Sequence, residues 1–374
     1  MKWLWILIKL VDLERHHVHV RDEIMRDIAG LVDSSAFIGG EAVESFESAF
    51  AHFASAKGAV GVSNGTSALE ISLRAAGVHL GDEVITQANS YFATVEAIMN
   101  VGAIPVLVDC DPCTGGISLS GVEAAISPRT KALVPVHLFG HMADMRQVAA
   151  IAGTRSLIVI EDAAQAHGSL DQGASPGALS YAACYSFFPG KNLGAWGDAG
   201  AITSNSQSVL AHLKKLRNHG RVDKYVHDLV GTNARLDPLQ ALVLQRKLDH
   251  LPLWNTRRAE VAKVYIDELT SQGFRVLTPR NGTSSSWHLF VTLVERRDEL
   301  RLSLAEKGVE TGVHYPVPLH RQPAIRDVRG PLSLPISERL AETMVSLPIH
   351  GEIRDDEVET VLANFLELAR PAEV

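Results

Sequence analysis

Between residues 58 and 205, short apolar runs alternate with segments whose apolar positions recur every three or four residues. The runs are "AVGV", "DEVITQ", "IPVLVDCD", "KALVPVHLFG", "SLIVIEDAA", "YAACYSFF" and "GAITSN". They show little polar alternation, the pattern of strands buried on both faces. The segments between them have helical spacing. In "TSALEISLRAAGV", Leu69, Leu73 and Ala76 share one face. "YFATVEAIMNVG" closes on Gly102, "LSGVEAAIS" offers Ser120 as an N-cap, and "ADMRQVAAIAG" completes the series. Strand and helix in alternation predict an α/β domain: a mainly parallel sheet between two helical layers. In such sheets ligands bind beyond the carboxyl ends of the strands, so the residues just after each strand carry the most information.

The pattern then changes. "DPLQALVLQRKLDHLPLWNTRRAEVAKVYIDELTSQG" is helical, with Pro252 as its break or bend. Beyond Gly273, strands ("FRVLTP", "SSWHLFVTLV") mix with helices ("RDELRLSLAEKG", "ISERLAETMVS", "RDDEVETVLANFLELAR"). This predicts a large α/β domain over 1–250, including an N-terminal arm, and a smaller α+β domain over 251–374. The opening "MKWLWILIKLVDL" has an apolar core of only six residues, "WLWILI". That is shorter than a signal h-region and far from the ~20 residues of a membrane span. It reads as a buried strand or arm, and the chain as cytoplasmic.

Composition narrows the partners. The chain has 374 residues, 46% hydrophobic and 21% charged, with a formal net charge of −8. That balance argues against nucleic acid or anionic membrane as the main partner, but a local pocket can still be positive. Three cysteines suit a reducing compartment. Cys110 and Cys113 form a C-x-x-C without a second pair, at a strand end followed by an Asp-Pro turn, so it reads as coincidence. "RHHVHV" would put His17 and His19 on one face of a strand, yet no carboxylate or cysteine nearby completes a ligand set. No metal is expected.

Four features lie beyond the strands. "SNGTSAL" has Gly65 for a tight turn, then Thr66 and Ser67 opening a helix. It reads equally as an anion seat or a plain capped turn. Glu161 and Asp162 end an apolar strand, where a buried carboxylate needs a cation or is simply a structural ion pair. Tyr91 follows "DEVITQ" and either stacks on a planar ligand or packs at the rim. Lys191 sits in "YSFFPGKNLGAWGDAGA", among aromatic, small and glycine residues where lysine is rare. Together these are the parts of a pyridoxal 5'-phosphate site: a lysine for the Schiff base, a carboxylate for the ring nitrogen, an aromatic for the ring and a seat for the phosphate. No Gly-Lys-Ser/Thr phosphate loop and no G-x-G-x-x-G after the first strand compete with that reading.

At this point the chain resembles the DegT/DnrJ/EryC1/StrS group of pyridoxal-phosphate sugar aminotransferases, of the aspartate-aminotransferase fold (fold type I). The matching stretches include "DSSAFIGGEAVESFE", "VGVSNGTSALEISLRAAGV", "VIEDAAQAHG", "YSFFPGKNLGAWGDAGAI", "LRNHGR", "GTNARLDPLQA", "WHLFV" and "GVHYPVPLH", over residues 12 to 370. The resemblance implies that Lys191 is the Schiff-base lysine and proton shuttle. It implies that Asp162 pairs with the pyridinium, Gln165 lies near the phenolic oxygen and Tyr91 stacks on the ring. Thr66, Ser67 and Ser186 would hold the phosphate beside Gly65, with Asn233 reaching it from the other subunit of a homodimer. Arg235, His314, Tyr315 and His320 match positions that face the substrate. L-Glutamate is the usual donor and a keto nucleotide sugar the acceptor. Dehydratase relatives carry histidine where Lys191 stands. "PGKNLGAWGDAGA" resembles the branch that acts on 3-keto sugars, whereas the C-4 branch shows a "K-x-x-T-T-G-E-G-G"-like run. Transfer at C-4, transfer to a cyclitol ketone and a non-catalytic regulator are the alternatives. The sequence departs from the family at "WILIKLVDL", at Trp196, which replaces an aliphatic residue, and at Ser67, where many members have Asp.

Overall fold

A computed structural model describes residues 7–325 and 333–372. Most of the "WLWILI" arm therefore lies outside the described residues. Its last residue, Ile8, is buried and bridges Val309 in parallel.

Strands β1 (Gly58–Val62), β2 (Glu83–Gln87), β3 (Ile104–Val108), β4 (Thr130–Val134) and β5 (Ile158–Asp162) come first, followed by a two-residue β6 (Leu170–Asp171), β7 (Ala182–Ser186) and β8 (Gly200–Ser204). Seven of them form one sheet in the order β1-β8-β7-β5-β4-β2-β3. The pairs β3–β2, β2–β4, β4–β5 and β5–β7 are parallel, and β8 runs against both its neighbours. The mainly parallel sheet is as expected, because its strands are covered on both faces. On one face lie Leu69, Ile71 and Leu73 of the helix Gly65–Ala75, with Leu210 and Leu213 of the helix Gln207–Leu216. On the other lie Phe46 and Phe50 of the helix Glu41–Phe53, Leu244 of the helix Pro238–Leu248, and Val148 of the helix Met145–Arg155.

A second sheet follows: β9 (Arg275–Val276), β11 (Phe290–Leu293) and β12 (Met344–Leu347), ordered β12-β11-β9, all antiparallel. Between them β10 (Thr283–Ser284) pairs with β6. Around this sheet the helices Leu251–Ser271 and Asp355–Leu368 bury Tyr265, Leu269, Val361 and Phe365. Among the described residues no helix is long and apolar enough to cross a membrane.

Four expectations need correction. "RHHVHV" is largely a helix, Leu13–Val18, capped by Asp12 accepting from Arg15 N, so His17 and His19 do not share a strand face. The cap of the helix Leu119–Ala125 is Ser118, whose hydroxyl accepts from Gly121 N at 3.2 Å, not Ser120. The helical break falls at Asp249–His250, and Pro252 sits in the first turn of the next helix, where its missing N–H costs nothing. "ISERLAETMVS" changes state midway: Pro335–Thr343 is helical, and Met344 begins β12.

Candidate active site

The site is built where β1, β5 and β7 end. After β1, Asn64 caps the helix Gly65–Ala75 by accepting from Ser67 N at 2.7 Å, and the hydroxyls of Ser63 and Ser67 lie 3.1 Å apart. Gly65 and Thr66 are the first two helical residues, so their N–H groups have no carbonyl within the helix to bond. A Cβ on Gly65 would meet Ser186 Cβ at 2.7 Å, and one on Gly200 would meet the Asn64 carbonyl carbon at 2.6 Å. Both glycines thus bring the helix start against the end of β7 and the beginning of β8. The result is a small concave seat with free N–H groups and the hydroxyls of Thr66, Ser67 and Ser186, suited to a phosphate.

Asp162 ends β5 with 5% of its surface exposed. Its Oδ2 accepts from Thr94 Oγ1 at 2.8 Å and its Oδ1 from Ala164 N at 3.2 Å. Burial pushes its carboxyl up, against the lowering effects of Thr94, Ala164 N and the nearby Lys191. That is the environment of a carboxylate that lacks a cationic N–H donor. Burial brings Lys191 down to about 8, with Asp162 opposing the shift. The neighbouring Glu161 is engaged elsewhere. It accepts from His137 Nε2 at 2.6 Å, from Ser180 Oγ at 2.5 Å and from Gly177 N at 2.7 Å. His137 Nδ1 accepts from Ala143 N at 3.1 Å, so its proton sits on Nε2 and is given to Glu161. Of the two strand-end carboxylates, Asp162 is the one that faces Lys191.

Gln165 Oε1 accepts from Phe139 N at 2.6 Å, which turns Nε2 toward Tyr315 OH at 3.1 Å. Tyr315 in turn faces Tyr91, ring centroids 5.6 Å apart, and Tyr91 is largely exposed. His314, joined to Tyr315 by a cis peptide, pairs its Nδ1 with Ser346 Oγ at 2.8 Å, and burial holds it down at about 4, hence neutral. Lys191, Asp162, Gln165, Tyr91, His314 and Tyr315 therefore form one group of neighbours.

Three expected site residues are engaged with other partners, although Arg235 bridges Val62 at the end of β1. His320 is tied to Glu338 at 2.8 Å, which also takes Arg321 at 2.8 Å. Arg235 donates to Asn218 Oδ1 at 2.9 Å, and Asn233, exposed, bridges Asn218 on the outer side of β1. "LRNHGR" is partly structural, since Arg217 binds Glu47 and the Gly61 carbonyl. Sequence reasoning missed Thr94, Phe139 and Asn192. Only Thr94 had a sequence signal, a hydroxyl at the start of the helix after β2.

The residues present fit pyridoxal phosphate. The seat is concave and rich in N–H and hydroxyl groups, the buried carboxylate calls for a protonated ring nitrogen, and burial lowers the lysine to about 8. Fold and site together define a pyridoxal-phosphate aminotransferase. Residues 18–366 match the model of the DegT/DnrJ/EryC1/StrS aminotransferase family. A "pleiotropic regulatory protein" of Geobacillus stearothermophilus is 42% identical over 97% of this chain and 99% of its own length. The dTDP-3-amino-3,4,6-trideoxy-alpha-D-glucose transaminase of Streptomyces venezuelae is 42% identical, covering 91% of each chain. The crystal structure of S. venezuelae DesV with a ketimine intermediate superimposes with a TM-score of 0.95, at 40% identity over 98% of this chain and 100% of that one. The chain belongs to the DegT/DnrJ/EryC1/StrS aminotransferase family.

Proposed function

We propose that this protein moves the amino group of L-glutamate to the C-3 carbonyl of a keto-deoxy nucleotide sugar, a dTDP-3-keto-6-deoxyhexose, giving a 3-amino sugar. The observation that carries the reading is Lys191, brought to about 8 by burial and facing the buried Asp162. The names of similar proteins, among them a 3-amino-trideoxyglucose transaminase, support the choice of acceptor. When bound, pyridoxal phosphate supplies an electron sink that stabilises negative charge at the carbon losing its proton. Asp162 would hold the ring nitrogen protonated, with Thr94 keeping that carboxylate oriented. Gln165 Nε2 would donate to the phenolic oxygen. Lys191 Nζ would take the substrate's α-proton and hold it for return, which needs a lysine titrating near the working pH.

The working unit is a homodimer in the cytoplasm, with a large domain over 1–250 and a small one over 251–374. The change from Leu248 and Leu251, packed beside the first sheet, to Val261, packed beside the second, supports a division near that point. The exposure of Asn233 supports its reaching a partner's phosphate seat, and three free cysteines suit a reducing compartment.

The test is spectroscopic. Protein loaded with pyridoxal phosphate should show an absorbance band that depends on Lys191 and shifts when L-glutamate is added. Glutamine acting in place of glutamate would favour a cyclitol acceptor. A panel of 3-keto and 4-keto sugars on dTDP and UDP, read by mass spectrometry, then fixes the acceptor. The regulatory name of one relative motivates a second reading, a non-catalytic regulator. It predicts that no amino donor changes the band.

A further inference from the structure

Asn192, next to the lysine, is completely buried. Its Nδ2 donates to Asn255 Oδ1 at 2.9 Å and to the Ser286 carbonyl at 2.7 Å, and its Oδ1 faces His288 Nδ1 at 3.0 Å. All three partners belong to the C-terminal half, on the helix Leu251–Ser271 and on the segment leading into β11. Two of them also hold the chain that follows Asp162. Asn255 Nδ2 donates to the His167 carbonyl at 2.7 Å, and Ser286 Oγ donates to the Gln165 carbonyl at 2.9 Å. The loop carrying Lys191 and the loop carrying Asp162 and Gln165 thus hang from the same two residues.

The amide of Asn192 has one workable orientation. Rotated by half a turn, its oxygen would face the Ser286 carbonyl, acceptor against acceptor. With Oδ1 facing His288, the imidazole must carry its proton on Nδ1. Burial keeps His288 well below its usual pKa, so the ring is neutral and Nε2 holds a lone pair. The charged and titratable groups around Lys191 are Asp162, His167, His288 and His314, and burial pushes the three histidines toward their neutral forms.

We propose that Asn192 is a positioning residue: through Asn255, Ser286 and His288 it fixes Lys191 relative to Asp162 and Gln165 and holds His288 as its Nδ1–H tautomer. The inference rests on the reading of Lys191 given above. A side chain that merely filled space would contribute packing. This one sets where Lys191 Nζ stands, and so the proton affinity of that nitrogen in the loaded protein.

The experiment measures absorbance against pH, and glutamate kinetics, on loaded full-length protein. Asn192→Ala should keep the Lys191-dependent band but move its pH midpoint by at least half a unit. It should lower kcat for glutamate tenfold or more, with KM changed less than threefold. His288→Asn places an amide donor where Nδ1 stands and should keep the wild-type midpoint, whereas His288→Leu should shift it as Asn192→Ala does. Nitrogen-15 NMR of the histidines should report His288 protonated at Nδ1 in the wild type. A folded Asn192→Ala protein with wild-type midpoint and kcat would overturn the proposal. If that variant does not fold, equal midpoints in His288→Asn and His288→Leu overturn it instead. A wild-type protein without any Lys191-dependent band sinks the proposed function as well, which separates the two failures.

Discussion

Asp162 and Lys191 are each placed where their charged forms are costly, and each partly relieves the other. Thr94 is the fixed part of that balance, because its hydroxyl donates to Asp162 from a neutral side chain. Replacing it with valine keeps the shape and removes the donor. A buried acceptor that loses such a bond costs roughly 1–3 kcal/mol. Thr94→Val should therefore weaken pyridoxal phosphate binding about tenfold or more, measured by fluorescence titration, with little change in thermal stability of the loaded protein. Unchanged affinity would mean that Asp162 is held by Ala164 N alone. The lysine and the carboxylate were legible in the sequence because each broke the local pattern, one as a cation among small and aromatic residues, the other as an acid ending an apolar run. Thr94 offered only a hydroxyl at a helix start, and Asn192 broke no pattern. Their partners lie far along the chain, at Asp162, Asn255, Ser286 and His288, and such pairings appear only once the chain is folded.

At the scale of elements, two glycines decide close approaches. Gly65→Ala would drive a methyl against Ser186, where overpacking costs about 1–3 kcal/mol. The displaced helix start is the proposed phosphate seat. The variant should lose affinity for pyridoxal phosphate by tenfold or more and keep its affinity for pyridoxal, which lacks the phosphate. Equal losses for both would place the phosphate elsewhere. Gly194 is tighter still: an added Cβ would stand 2.2 Å from the Pro189 carbonyl oxygen, inside the turn that carries Lys191. Lys247, buried, donates to the Gly194 carbonyl and holds the turn from behind. Gly194→Ala should destabilise the fold by several degrees in Tm, whereas Gly190, whose added Cβ would find nothing nearer than 3.9 Å, should accept alanine. The strands of the large sheet were legible because burial on both faces writes itself as unbroken apolar runs. The N-terminal helices were not. "RHHVHV" mimics alternation, and its helix is set by the Asp12 cap and by His16 stacking on Trp254 at 4.0 Å. Nor was the switch from helix to β12 visible, because β11 decides it by pairing with Met344–Leu347.

Across the whole molecule, burial lowers seven histidines: His16 to about 2, His167 to about 3, His141, His314 and His350 to about 4, His288 well below its usual value, and His17 in the same direction. Each binds a proton more readily unfolded, near 6.5, than folded. Where the unfolded chain holds more protons, stability rises with pH. The folded state is therefore free of this penalty above about pH 6.5 and loses stability as pH falls toward 4, each histidine adding up to ~1.4 kcal/mol per pH unit. Calorimetry should show Tm falling steeply between pH 6.5 and 4.5, with several protons taken up on unfolding. A flat Tm over that range would contradict the burial described here.

Both nitrogens of the buried His137 are satisfied, by Ala143 N and by Glu161 at 2.6 Å. Its backbone N–H also donates to the Asp162 carbonyl at 3.0 Å. A short, fully buried N–H···O bond exchanges slowly with solvent and resonates far downfield of ordinary amides. This proton is expected to give one resolved downfield signal, one residue away from the carboxylate proposed to hold the ring nitrogen. Because the His137 backbone N–H also bonds the Asp162 carbonyl, that signal should shift when pyridoxal phosphate is added, and an unmoved signal would contradict the placement of Asp162 beside the ring.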